Sequence, residues 1–144
     1  MTVAKLLISV CAFCVMSEQV VAGEASICTP KDSVQVESSV SKVRDWRGVY
    51  ASFRANRACN AETVVEVWAA YSQIVARLFA NHWDKSNDFF RLASEHADFK
   101  NFVVKHLADE TIPEDVLQVI RVHARSSCSY GFETMCKEID GATR

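Results

Sequence analysis

The chain has 144 residues and a formal net charge of −2, with its lysines and arginines scattered rather than clustered. That balance argues against nucleic acid as a partner, and no basic amphipathic face points to a membrane surface. No internal repeat, low-complexity linker or sustained heptad pattern divides the sequence.

The chain opens with MTVAKLLISVCAFCVMSEQVVAGEAS: one basic residue, Lys5, then an apolar run from Leu6 to Met16, then small residues. This is the tripartite layout of a secretory signal peptide, with cleavage expected after Ala22 or Gly23. The run is shorter than the roughly 20 apolar residues that span a bilayer. Val10, Phe13 and Ile27 precede Cys11, Cys14 and Cys28, where a lipoprotein box needs a small residue. The expectation is a leader over residues 1–22 and one exported, periplasmic or secreted domain over residues 23–144.

Removing the leader removes Cys11 and Cys14 and leaves Cys28, Cys59, Cys128 and Cys136. An even count in a short exported chain reads as disulfides. Neither zinc-knuckle spacing nor a CxxC redox pair remains, so no metal and no cofactor is expected. Three pairings are possible. Cys128–Cys136 suits a helix end followed by the next helical turn, within the roughly 4.4–6.8 Å that a bridge allows between Cα atoms. Cys28–Cys59 then follows by subtraction, on one condition. A single helix from Ser33 to Asn56 would be about 36 Å long and would hold these thiols apart. The pair therefore requires the helix to start near Ser38 to Ser41, behind an extended arm that folds back. Otherwise Cys28 and Cys59 cross to the C-terminal cysteines.

The remaining pattern is helical. Val36, Val40, Val43, Trp46, Tyr50 and Phe53 recur at steps of three or four and form one stripe, weakened at Gly48. Asn60 reads as an N-cap for a long helix from Val64 through Val67, Trp68, Tyr71, Ile74, Val75, Leu78, Phe79 and His82 to Trp83. Two short helices follow, one with Phe89, Phe90, Leu92 and Ala93, the other starting at Asp98. Thr111-Ile-Pro-Glu114 reads as a capping box opening a helix with Val116, Leu117, Ile120 and Ala124. Gly131 breaks the chain before a last short helix with Met135 and Ile139. The expected fold is all-α: a single irregular bundle of about six helices, orthogonal or antiparallel, stabilised by disulfides.

Chemistry is harder to find. No HExxH occurs, and no two of His82, His96, His106 and His123 stand at i,i+4, so metal binding is not expected. His82 and His106 fall on apolar stripes and read as core or boundary imidazoles. Glu62 with Glu66, and Glu110 with Glu114 and Asp115, could serve as carboxylate pairs. Their place in first helical turns favours a dipole role instead. GxSxG, a glycine-rich phosphate loop and a free nucleophilic cysteine are all missing, so no catalytic residue is assigned. One corner stands out. Trp83 and Phe89 flank Asp84, Lys85 and Asp88, and aromatics beside both charge signs at a helix junction suit a protein-contact surface. The bland alternative is a hydrophobic staple between helix ends.

In size, export signal, disulfides and all-helical pattern, the chain resembles the small periplasmic immunity proteins that neutralise toxins of bacterial type VI secretion, the amidase-immunity type in particular. That resemblance implies a non-enzymatic binding protein whose partner is another protein. Cys28 and Cys59, with the close C-terminal pair, also resemble the layout of insect odorant-binding proteins, although the two middle cysteines of that family are missing. This second likeness implies a carrier of a small apolar ligand, which needs an internal cavity of about 300 Å³ or more. An enzyme without a recognisable signature is the third reading.

Overall fold

In the computed structural model, residues 27–144 are described; the expected leader, with Cys11 and Cys14, lies outside them. Seven α-helices follow in order: α1 Pro30–Val40, α2 Trp46–Ala55, α3 Val65–Asn81, α4 Ser86–Glu95, α5 Ala97–Leu107, α6 Glu114–Ser126 and α7 Glu133–Ala142. Short 3-10 turns occupy Arg57–Cys59 and Trp83–Lys85, and no strand occurs among the described residues. The all-α expectation holds, with one helix more than anticipated.

The extra helix comes from the N-terminal stripe, which is two helices rather than one. Thr29 opens α1 with a capping box. Its hydroxyl accepts the Asp32 N–H, while the Asp32 carboxylate accepts the Thr29 N–H, and Pro30 stands in the first turn. Towards the end of α1 the Ser39 and Ser41 hydroxyls bond back to the carbonyls of Val36 and Glu37, a competition that weakens helix continuation. The chain turns over Ser41 to Asp45, and Asp45 caps α2 by accepting the Gly48 N–H at 2.7 Å. Gly48 is there for space. A Cβ at that position would stand 2.9 Å from Val43 Cγ1, so any larger residue would require the Val43 side chain to shift. The doubled-back pair brings Cys28 and Cys59 to a Cα separation of 4.9 Å, and they are bridged. The pairing is as expected; the route is a short helix and a turn, where an extended arm had been required.

The 17-residue α3 is the axis of the bundle, packing against α1, α2, α5 and α6. Two capping expectations fail around it. Asn60 does not cap α3, which begins after Val64; its amide nitrogen instead donates to the Phe53 carbonyl. Thr111 forms no capping box with Glu114, because its N–H and hydroxyl both turn back to the Asp109 carboxylate.

The core is aromatic. Trp46, Tyr71, Phe79, Phe89, Phe90 and Phe99 are fully buried. Trp46 lies 4.5 Å from Phe79 and 5.0 Å from Phe89, centroid to centroid. Phe79 meets Phe89 edge-on at 5.2 Å. Such pairs add about 0.5–1.5 kcal/mol beyond their area burial. At the C-terminal end, the buried Arg121 guanidinium holds the Thr143 carbonyl and the Glu114 carboxylate, fastening the end of α7 to α6. Cys128 and Cys136 are bridged across the α6–α7 turn, with Cα atoms 6.1 Å apart.

Alkylation mass spectrometry on the unreduced, leader-free protein should therefore find no modifiable thiol. It should also find one peptide joining Cys28 to Cys59 and another joining Cys128 to Cys136. Each bridge is worth roughly 2–4 kcal/mol on the chain-entropy model. Two labelled thiols would remove one staple from this account, and four would remove both.

Candidate functional site

The corner singled out in the sequence divides into an inner and an outer part. Phe89 is 0% exposed, packed among Trp46, Phe79, Phe90 and Phe99. Trp83 is 8% exposed; its ring stacks on His123 at 5.5 Å, and its indole N–H donates to the Ser127 carbonyl at 2.8 Å. Both aromatics are core residues. Asp84 and Lys85 face solvent, and the half-buried Asp88 pairs with Arg91 one turn further along α4. What remains outward is a polar corner on an aromatic base.

The Trp83–Ser127 bond joins this corner to the turn between α6 and α7, which sequence reasoning treated only as the site of a staple. Phe132 N–H donates to the Ser129 carbonyl at 3.1 Å. Gly131 has φ +87°, the conformation that glycine supplies at the third position of a type II turn. The Glu133 carboxylate accepts the Gly131 N–H at 2.9 Å; that bond and the Glu133 backbone N–H hold its carboxyl below the usual range. Phe132 stacks on Phe90 at 5.0 Å. Disulfide, turn bond, carboxylate cap and ring stack thus all fix one short loop. At its tip Tyr130 is 97% exposed. The signal was present in the sequence as an aromatic between two bridged cysteines beside the turn glycine.

The other candidates are not brought together into a site. Glu62 lies in the turn before α3, not in its first helical turn as expected, and pairs with Lys105. Glu66 is exposed in the first turn of α3. Glu110 and Asp115 are exposed, and Glu114 holds Arg121. His82 is a half-buried residue at the end of α3, and His96 stacks on Tyr50 at 4.7 Å. No group of three or more metal-ligating side chains occurs among the described residues.

One constellation was not foreseen: Ser72, His106 and Asp109. The Ser72 hydroxyl donates to the Asp109 carboxylate at 2.6 Å and meets His106 Nδ1 at 2.9 Å. With the hydroxyl proton on Asp109, Nδ1–H must be the donor to Ser72, which leaves Nε2 as a bare acceptor with no partner. A nucleophilic triad needs the imidazole between hydroxyl and carboxylate. Here the hydroxyl is in the middle, and Ser72 and His106 are both 0% exposed. The cluster is a clasp tying α3 to α5 and to the turn before α6. Burial pushes the Asp109 carboxyl up, but bonds from Ser72, from the Thr111 N–H and hydroxyl, and from Trp68 outweigh it and hold it below the usual range. Burial, the largest influence on His106, drives its pKa down to about 3 against the opposing pull of Asp109, with Lys105 adding to the depression.

Grooves on the described surface are open to solvent. A groove of about 480 Å³ runs beside the Cys28–Cys59 bridge, and one of about 310 Å³ lies beside Cys128–Cys136 between Arg125, Glu133, Lys137 and Asp140. No helix among the described residues is long and apolar enough to cross a membrane. No protein-family model, curated protein or solved structure matches this chain.

Proposed function

We propose that this is an exported, non-catalytic helical protein that binds another protein and blocks it, a toxin or a cell-wall hydrolase being the kind of target that the likeness to exported immunity proteins implies. The observation that carries the reading is the joint at Trp83. By holding the Ser127 carbonyl, this buried indole makes the charged corner and the stapled turn one outward end of the bundle. A surface fixed before contact loses little conformational entropy on association. Two further features support a binder over a carrier: a core filled ring against ring, and grooves that lie at the surface.

Changing Asp84, Lys85 and Asp88 together to alanine tests the reading. The Asp88–Arg91 pair is exposed, and such pairs contribute about 0–1 kcal/mol. Melting should therefore fall only slightly, while capture of the partner from exported fractions weakens at least tenfold. If the wild-type protein retains no partner, the binder reading fails. Unchanged capture by the triple variant would place the surface away from the corner, and an unfolded variant would make these residues caps.

A further inference from the structure

We propose that Tyr130 is the anchor of this surface, seating in an uncharged concave pocket on a folded partner protein. This rests on the binder reading above and adds which residue enters the partner and what kind of surface receives it.

Among the described residues Tyr130 is the most exposed of the large apolar side chains, yet it stands on a segment closed by a disulfide. A tyrosine tip offers a large ring with a hydroxyl and only two side-chain torsions to fix, the combination that makes tyrosine common at interface hot spots. A solvated aromatic on a loose loop would lose much of that advantage in ordering the backbone. Here the bridge, the Gly131 turn and the Phe132–Phe90 stack have already ordered it.

Charge selects the partner. Ser126 to Phe132 carries no charged side chain. The charges that flank it are solvent-exposed but already engaged within the chain: Arg125 pairs with Asp140, and the Glu133 carboxylate caps Gly131. Recognition of a nucleic-acid backbone or an anionic membrane would need outward lysines and arginines at the tip. A neutral aromatic tip instead fits a neutral pocket.

The test places a photo-crosslinking phenylalanine analogue at 130, at Lys85 or at Val34 in the full chain, which is irradiated in the exporting cell. The expected result is one discrete protein adduct from position 130 and none from Val34. Against that identified protein, Tyr130→Ala should weaken binding at least tenfold and Tyr130→Phe less than threefold, with melting unchanged in both. An adduct from Lys85 but none from 130, or full affinity in Tyr130→Ala, overturns the anchor and leaves the binder reading standing. No adduct from any position overturns both. Sedimentation with phosphatidylglycerol or phosphatidylcholine vesicles that is lost in Tyr130→Ala would assign the tip to a lipid surface and likewise overturn the proposal.

Discussion

Phe89→Ala should destabilise the protein by about 3–5 kcal/mol, the range for truncating a buried phenylalanine in a packed core. The ring is 0% exposed and touches Trp46, Phe79, Phe90 and Phe99, which belong to α2, α3, α4 and α5. Those neighbours come from four helices, so no single side chain can shift to fill the void. Against a total stability of about 5–15 kcal/mol for a domain, the loss is severe, and thermal melting should drop by about 10 °C or more. Asp84→Ala, five residues away and solvent-facing, should change stability by no more than about 0.5 kcal/mol. The contrast is diagnostic because both residues belong to the corner that looked uniform in the sequence. A Phe89→Ala protein that melts normally and loses only its partner would put that ring on the surface and contradict the packing described here.

Acid should weaken the fold through His106. In the unfolded chain a histidine takes up its proton near pH 6.5; in the clasp it does so only near pH 3. Between those values the unfolded state binds the extra proton, so stability falls as pH falls, by about 1.4 kcal/mol per pH unit. The contribution is intact above pH 6.5, and roughly 3 kcal/mol is gone by pH 4. Asp109, whose carboxyl is also held low, adds a loss of the same sign below its own ordinary range. Urea unfolding from pH 7 to 4 reads this directly. His106→Gln keeps a donor for Ser72 but cannot titrate, so its profile should be flatter than the wild type by that slope. Parallel profiles for the two proteins would show that His106 is not the group responsible.

Much of the fold was legible because periodicity survives any local bend. Val67, Tyr71, Val75, Leu78 and Phe79 mark the buried side of α3, which nothing interrupts for 17 residues. The same regularity concealed the turn between α1 and α2. Val36, Val40 and Trp46 all remain buried on either side of Ser41 to Asp45, so the three-to-four spacing runs through the break. The stop was written in weaker signs: clustered serines, Asp45 as a cap and Gly48 as a space-maker. Capping signatures misled in both directions. Thr111 was drawn off by the nearby Asp109, while Thr29-Pro30-Lys31-Asp32 carries the same logic and does cap. The outward end was half legible. Aromatics flanking both charge signs identified the corner, but only burial separates Trp83 and Phe89 from Asp84 and Lys85. The Ser72–His106–Asp109 clasp and the Trp83–Ser127 joint depend on tertiary contacts spanning up to 44 positions, and no window along the chain exposes them.

The two bridges do not interleave: one closes residues 28–59, the other 128–136, and the 68 positions between Cys59 and Cys128 hold no other cysteine. If the chain is exported and its leader removed as proposed, threading into an oxidising compartment from the N-terminus presents these thiols in the order in which they pair. An oxidant that simply joins each newly arrived cysteine to the one before it therefore makes the native set, whereas crossed bridges would require the first thiol to wait for most of the chain. Proofreading by thiol–disulfide exchange then becomes dispensable for these four cysteines. On that proposal, the protein can be assembled in compartments that supply an oxidase but little isomerase.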